Sequence, residues 1–319
     1  MKSKDDELNI YWVKCGRNGK NFGDWITSYI YQKITRKNAI CAQKPITTKE
    51  SFVKLINYSL YYFGLRSSNL KGKKKSFKIY LKFFTDLLKL IVKNQSDQTS
   101  NHKIIFGSGS ILHNLTGWKN VTVWGSGIIS SNDRFTEPKQ VLCVRGPLTR
   151  KRFLELGYHC PEIYGDLGLL LPKFYQPKVI KIYKIGIIPH FVDFEIVKKM
   201  FAGISDIHVI DVCDDVEKVV DEICKCSITI SSSLHGIIVS HAYNIPSCWA
   251  TFSNGLFGDG SKFFDYYYSI KIDKVIEPIA LINSDPLILT VENLENLIKN
   301  YPNPEFPINT EKLFQTIPF

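Results

Sequence analysis

The chain has 319 residues, 44% of them hydrophobic and 13% aromatic, with a net charge of +11, enough for real cores and more length than one domain usually fills, so two domains are expected. There is no run of about 18 apolar residues, which argues against a membrane span, and MKSKDDELNI holds no apolar leader segment, which argues against a secretory signal. The eight cysteines are scattered with no CxxC pair, so a disulfide framework is not expected and the compartment predicted is a reducing cytoplasm.

In chain order, LNIYWVKC predicts a first strand, GRNGKNFGD a loop and WITSYIYQKIT a helix. Residues of about 64–100 form a basic insertion, with six lysines between Lys71 and Phe84. Continued to Lys93, its apolar residues fall near helical spacing, so it reads as an amphipathic helix. Such a helix could lie on an anionic bilayer or simply pack on the domain with its lysines in water. No motif beside the charge points to nucleic acid, and none is expected as a partner.

HKIIFGSGSIL and NVTVWGSGI each predict a buried strand running into a Gly/Ser loop. QVLCVRGPLTRKRFLELGY reads as strand, turn and helix, with Pro147 in the first turn and Gly157 at the stop. EIYGDLGLLLP reads as another strand with a loop. Beyond a junction near 172–183 a second series follows: strand KIGIIPHF, helix FEIVKKMFAGI, strand IHVIDV, helix DVEKVVDEICKC, strand SITISSS, helix HGIIVSHAY and strand PSCWA. Strands alternating with helices predict an α/β fold with parallel sheets, here two Rossmann-like domains facing across a cleft, spanning 1–175 and 176–280. The segment 281–319 is expected to cross back to the first.

Ligands of such sheets bind beyond the carboxyl ends of the strands. The residues delivered there are Asn21 and Asp24, Gly107, Ser108 and Gly109, Arg145, Asp166, His190, and the run Ser231, Ser232, Ser233, Leu234, His235. Loop-to-helix junctions expose backbone N–H groups and suit anions. The three serines could cap a helix or donate to an oxyanion. His235 stands at the positive end of a helix, which favours a neutral imidazole until an anion binds. Asp24 is either a helix cap or a site residue, and Arg145 is expected to clamp an anion. There is no GxGxxG and no GxxxxGK[ST], so neither a dinucleotide fold nor a P-loop enzyme is supported. No metal-ligand cluster is evident, Cys224 and Cys226 included, and no metal is expected.

NFGDWIT, IIFGSGSIL, VWGSGI, VRGPLTRKRFLELGY, YGDLGLLLP, IGIIPH and SSSLHGIIVSHAYNIPSCWA, in that order, resemble the polysaccharide pyruvyl transferase family; KFFDYYYSI is a further, weaker match. The chain departs from that pattern at Ser108, where the family has Gly, and at Leu167, where it often has Pro. The resemblance implies a GT-B-like fold and transfer of the pyruvyl unit of phosphoenolpyruvate to two sugar hydroxyls, with phosphate released and no cofactor. It also implies a saccharide acceptor, often lipid-linked, met at the inner membrane face, where residues 71–93 could touch the bilayer. In that reading Arg145, His235 and the serines hold the donor's two anionic groups. His235 protonates the leaving phosphate, Asp24 or Asp166 is the base, and His190 reaches in from the second half. A nucleotide-sugar glycosyltransferase of the same fold is the competing reading.

Overall fold

The computed structural model describes residues 8–14, 16–42, 103–253, 255, 258–274, 277–281 and 289–319. The basic insertion and the amphipathic stretch 71–93 lie outside the described residues, as do the N-terminal seven.

Two five-stranded sheets are present among the described strands, and every pairing in both is parallel. The first holds β1 (Asn9–Tyr11), β2 (Ile40–Cys41), β3 (Ile104–Phe106), β4 (Val121–Trp124) and β5 (Gln140–Cys143), in the order β2-β1-β3-β4-β5. The second holds β6 (Tyr183–Ile188), β7 (Ile207–Val209), β8 (Cys226–Ser231), β9 (Ser247–Thr251) and β10 (Ile279–Ala280), in the order β10-β9-β8-β6-β7. Central strands read as unbroken apolar runs because both faces are covered; β4 is buried at all four positions.

The α-helices among the described residues are α1 (Phe22–Thr35), α2 (Pro147–Glu155), α3 (Phe194–Met200), α4 (Val216–Cys224), α5 (Leu234–Ala242), α6 (Ser261–Ser269), α7 (Val291–Lys299) and α8 (Glu311–Phe314). Pro147 opens α2, where its missing N–H costs nothing. The strand expected in EIYGDLGLLLP shrinks to a single bridge between Val144 and Tyr164. Its apolar run instead forms a 3-10 helix, Leu167–Lys173, capped by the Asp166 side chain on the Gly168 N–H. A short apolar run fits a strand or a buried helix equally well, and here the cap decides.

The halves share one apolar cluster. Ile10, Phe22, Ile26 and Leu170 from the first pack with Ile188, Val220 and Ile237 from the second. The last residues return to the first sheet: Trp124 Nε1 donates to Thr316 Oγ1 at 2.9 Å, and the Phe319 ring stands edge-on to both Trp124 and Tyr31.

Each sheet has one place where consecutive strands leave in opposite directions. In the first it lies between β1 and β3, in the second between β6 and β8. Such switch points open a crevice at the carboxyl ends. The loops leaving these four strands carry Asn21 and Asp24, Gly107 to Gly109, His190, and Ser231 to His235.

Candidate active site

α1 begins at the first switch point. Asn21 caps it by accepting the Gly23 N–H at 3.2 Å. Gly23 is required there: a Cβ would sit 2.0 Å from Nδ1 of His235. The imidazole thus lies against the backbone of α1, though it belongs to α5 of the other half. Ser108, beyond β3, completes the junction. Its N–H donates to Thr27 Oγ1 at 2.7 Å, which seats the loop on α1. Gly107 packs against the same threonine, and Gly109 turns the chain with a φ of +111° that favours glycine.

His235, Ser108 and Asp166 form one chain of contacts. Ser108 Oγ donates to Asp166 Oδ1 at 3.2 Å and lies 2.9 Å from His235 Nε2. With the serine proton committed to the carboxylate, its oxygen accepts from Nε2–H, which places a proton on that nitrogen. Asp166 Oδ2 stands 3.6 Å from His235 Nε2. It is buried and has no hydrogen-bond partner. Buried polar atoms are nearly always satisfied, so an unpartnered carboxylate oxygen beside an imidazole is unusual for a purely structural group. Burial opposes ionisation of Asp166. The charge of the His235 imidazole first, then the hydrogen bond from the Gly168 N–H and the Arg145 charge, outweigh it and hold the carboxyl below the usual range. Asp24, on the first turn of α1 and 8% exposed, lies beside Gly109, where a Cβ would come within 3.4 Å of its Oδ1.

The structure therefore brings together Asn21, Asp24, Gly107, Ser108, Gly109, Asp166 and His235. It places others differently. Arg145, expected as a clamp on the ligand, is fully buried. Its Nε donates to Asp265 Oδ2 at 3.0 Å, Nη1 to Ser110 Oγ at 2.5 Å and Nη2 to the Ile128 carbonyl at 2.6 Å. Asp265 also accepts from the N–H and hydroxyl of Thr149. This cluster ties α2 to α6, and Arg145 reaches the site only through its field. Ser231 and Ser232, expected as oxyanion donors, are also fully buried with their hydroxyls spent on backbone. Ser231 Oγ bonds the Ile188 and Ser233 carbonyls, and Ser232 Oγ accepts the His190 N–H at 2.8 Å. Ser233 takes the N-cap position of α5 without a side-chain cap bond. Leu234 packs into the shared core.

His190 stands beyond β6 with its Nδ1 buried and unpartnered. Burial, then the charge of Lys262, push its pKa down to about 4. Lys262 itself is pushed down to about 8 by burial and by Arg145. Lys262 is a functional candidate that sequence reasoning missed, and Asp265 is the missed structural partner of Arg145. Both lie in KFFDYYYSI, where only a weak similarity marked them and no chemical motif did. Among the described residues no group of three or more His, Cys, Asp or Glu is placed to hold a metal ion. No helix among them is long and apolar enough to cross a membrane.

The junction lies within the part of the chain that resembles known proteins. A family model described as polysaccharide pyruvyl transferase matches residues 20–254, from the start of the α1 cap to beyond β9. An uncharacterized protein of Acanthamoeba polyphaga mimivirus is 32% identical over 176 residues, 52% of this chain and 61% of the viral protein. The chain thus spans less than two thirds of that relative's length. With the matched region covering most of the chain and every residue of the Ser108–Asp166–His235 junction, the chain belongs to the polysaccharide pyruvyl transferase family.

Proposed function

We propose that this protein moves the pyruvyl unit of phosphoenolpyruvate onto two hydroxyls of a saccharide, forming a cyclic ketal and releasing phosphate. The observation that carries the reading is the unpartnered Asp166 Oδ2 3.6 Å from His235 Nε2, in a member of this family. The two sheets stand as counterparts of the two halves of a GT-B-like enzyme.

Carbon 3 of the donor takes up a proton, and carbon 2 becomes an oxocarbenium-like centre. One sugar hydroxyl adds to carbon 2 and gives up its proton. The second hydroxyl then bonds to carbon 2 and gives up its proton as the bond to the phosphate oxygen breaks, with that electron pair leaving on phosphate; the two protons released balance the one taken up by carbon 3 and the one carried off by phosphate. His235, oriented by Ser108 and Asp166, supplies the proton that makes phosphate a good leaving group. Asp24, at the rim, is the base for the attacking hydroxyl. Asp166 is fully buried and serves as a positioning residue. The N-terminal turns of α1 and α5 and the charge of Lys262 receive the donor's carboxylate and phosphate. The acceptor is a saccharide, free or lipid-linked. A lipid-linked one would bring residues 71–93 toward an anionic bilayer on the cytoplasmic side.

The test is incubation with phosphoenolpyruvate and galactosyl or N-acetylmannosaminyl acceptors, with phosphate release and product mass as readouts. A ketal adduct with phosphate released alongside it is expected. No adduct on any acceptor, together with thermal protection by a nucleoside diphosphate and not by phosphoenolpyruvate, would overturn the proposal.

A further inference from the structure

His190 and His241 both belong to the half built on the second sheet, and burial holds both rings neutral. What the rings bond is different. His241 Nδ1 lies 2.9 Å from Tyr266 OH and its Nε2 3.2 Å from Asn303 Oδ1, so both nitrogens are spent on protein. The His190 ring makes no hydrogen bond to the described residues. Its Nδ1 is buried without a partner, and its Nε2 lies on the open side of this half-buried residue. Buried polar groups are nearly always satisfied, so a purely structural imidazole should resemble His241.

The neighbours of His190 place it at the second switch point. β6 and β8 run side by side with Ile188 opposite Ser231, so His190 follows β6 as Ser233 and His235 follow β8. The serines fasten the two strand ends together. Ser232 N–H donates to the Ile188 carbonyl at 3.1 Å, Ser231 Oγ to the same carbonyl at 2.9 Å, and Ser232 Oγ accepts the His190 N–H at 2.8 Å. With the task shared among several bonds, no single one decides it. Lys262 lies in the first turn of α6, which follows β9, and β8 stands between β9 and β6. The charge of Lys262 acts on His190, and the charge of Arg145 acts on Lys262. A lysine with both neighbours lies over the carboxyl end of β8, where His235 begins its helix, and the His190 ring faces that place.

We infer that His190 is a second base of this site, taking the proton of the sugar hydroxyl that closes the ketal ring. The inference rests on the proposed reaction, which gives that proton no acceptor. Asp24 is spent once it has taken the proton of the first hydroxyl, and His235 serves the phosphate. In the closing step the second hydroxyl oxygen bonds to carbon 2, its O–H bond breaks and the proton passes to His190 Nε2. The bond from carbon 2 to the phosphate oxygen breaks in the same step, with its electron pair on phosphate. The imidazolium gives its proton to water when product leaves. Burial, then the Lys262 cation, keep the imidazole neutral, so its lone pair is available. Both also make it a weak base until an anion lies beside it. A phosphate gaining negative charge favours the imidazolium, so the base strengthens as the leaving group departs.

The experiment follows single turnovers of the full chain with phosphoenolpyruvate and galactosyl or N-acetylmannosaminyl acceptors, quenched in alkali and read by product mass and phosphate release. It uses wild type, His190→Gln, and His190→Ala with and without added imidazole, with thermal midpoints to confirm folding. We expect ketal formation to fall by about 10²-fold or more in His190→Gln. An adduct should accumulate that carries one sugar oxygen on carbon 2 and still holds its phosphate. Imidazole should restore part of the turnover to His190→Ala, which a lost packing contact would not allow. Glutamine fills more of the space than alanine, so His190→Gln serves if His190→Ala folds poorly. Ketal formation at the wild-type rate in His190→Gln would overturn the inference. So would a slowed His190→Gln that leaves the donor intact and accumulates no adduct. A wild type that forms no ketal on any of these acceptors would sink the proposed reaction itself, and this inference with it.

Discussion

Among the described residues, two buried charge clusters are built on opposite plans. In the Arg145–Asp265 cluster, Arg145 donates to three acceptors and Asp265 takes the N–H and hydroxyl of Thr149 besides. In the Asp166–His235 cluster, one carboxylate oxygen is left without a partner 3.6 Å from the imidazole. The first spends its bonding capacity on holding α2 to α6. The second keeps some in reserve where two switch points meet. A satisfied buried charge pair is a fastener; an unsatisfied one is where chemistry has something to use.

The comparison predicts different failures. The largest is expected for Arg145→Leu, which strands the Asp265 carboxylate in a fully buried place. Unfolding free energy should fall by about 3–5 kcal/mol, read by denaturant titration. Asp265→Leu made in the Arg145→Leu background should recover part of that loss, because the stranded charge is then gone. His235→Gln should act the other way. Phosphate release from phosphoenolpyruvate should drop by about 10²–10⁴-fold, while the thermal midpoint stays near that of wild type.

Acid should act through the buried histidines. His190 and His241 are both pushed from 6.5 down to about 4, by burial first. The folded state thus binds their protons less readily than the unfolded chain. Their stabilisation is complete above pH 6.5 and is lost as pH falls from there toward 4. The loss is on the order of 1–2 kcal/mol per histidine near pH ~5. His190→Gln should be less acid-sensitive than wild type across that window, as seen in urea midpoints taken at successive pH values. The smallest effect is expected for Ser232→Ala, which loses the bond to the His190 N–H. About 1 kcal/mol of stability should go, with turnover little changed.

Much of this was legible in the sequence, because it is written locally. The strand-to-loop runs at Phe106–Gly107 and Ser231–Ser232, the proline opening α2 and the GD pair at 165–166 each carry their own signal within a few residues. The residue types at the strand ends also gave the expectation of anion chemistry on which the proposed reaction draws. What was not legible depends on distance along the chain. Arg145 read as a ligand clamp because its partner, Asp265, lies 120 positions away in a helix with no motif. Ser231 and Ser232 read as ligand donors because a hydroxyl at a strand end looks the same whether it serves backbone or substrate. Their backbone partners, at Ile188 and His190, come from the end of the neighbouring strand and the loop that leaves it. The apolar run at 167–171 suited a strand or a helix, and only the Asp166 cap settled it.

The most direct test makes the same substitution in both clusters, Asp166→Asn and Asp265→Asn, and measures the unfolding free energy and phosphate release from phosphoenolpyruvate for each. The account predicts that Asp166→Asn stays folded and loses turnover by two orders of magnitude or more, while Asp265→Asn is strongly destabilised and its folded fraction still turns over. A folded, fully active Asp166→Asn, or a stable but inactive Asp265→Asn, would contradict it.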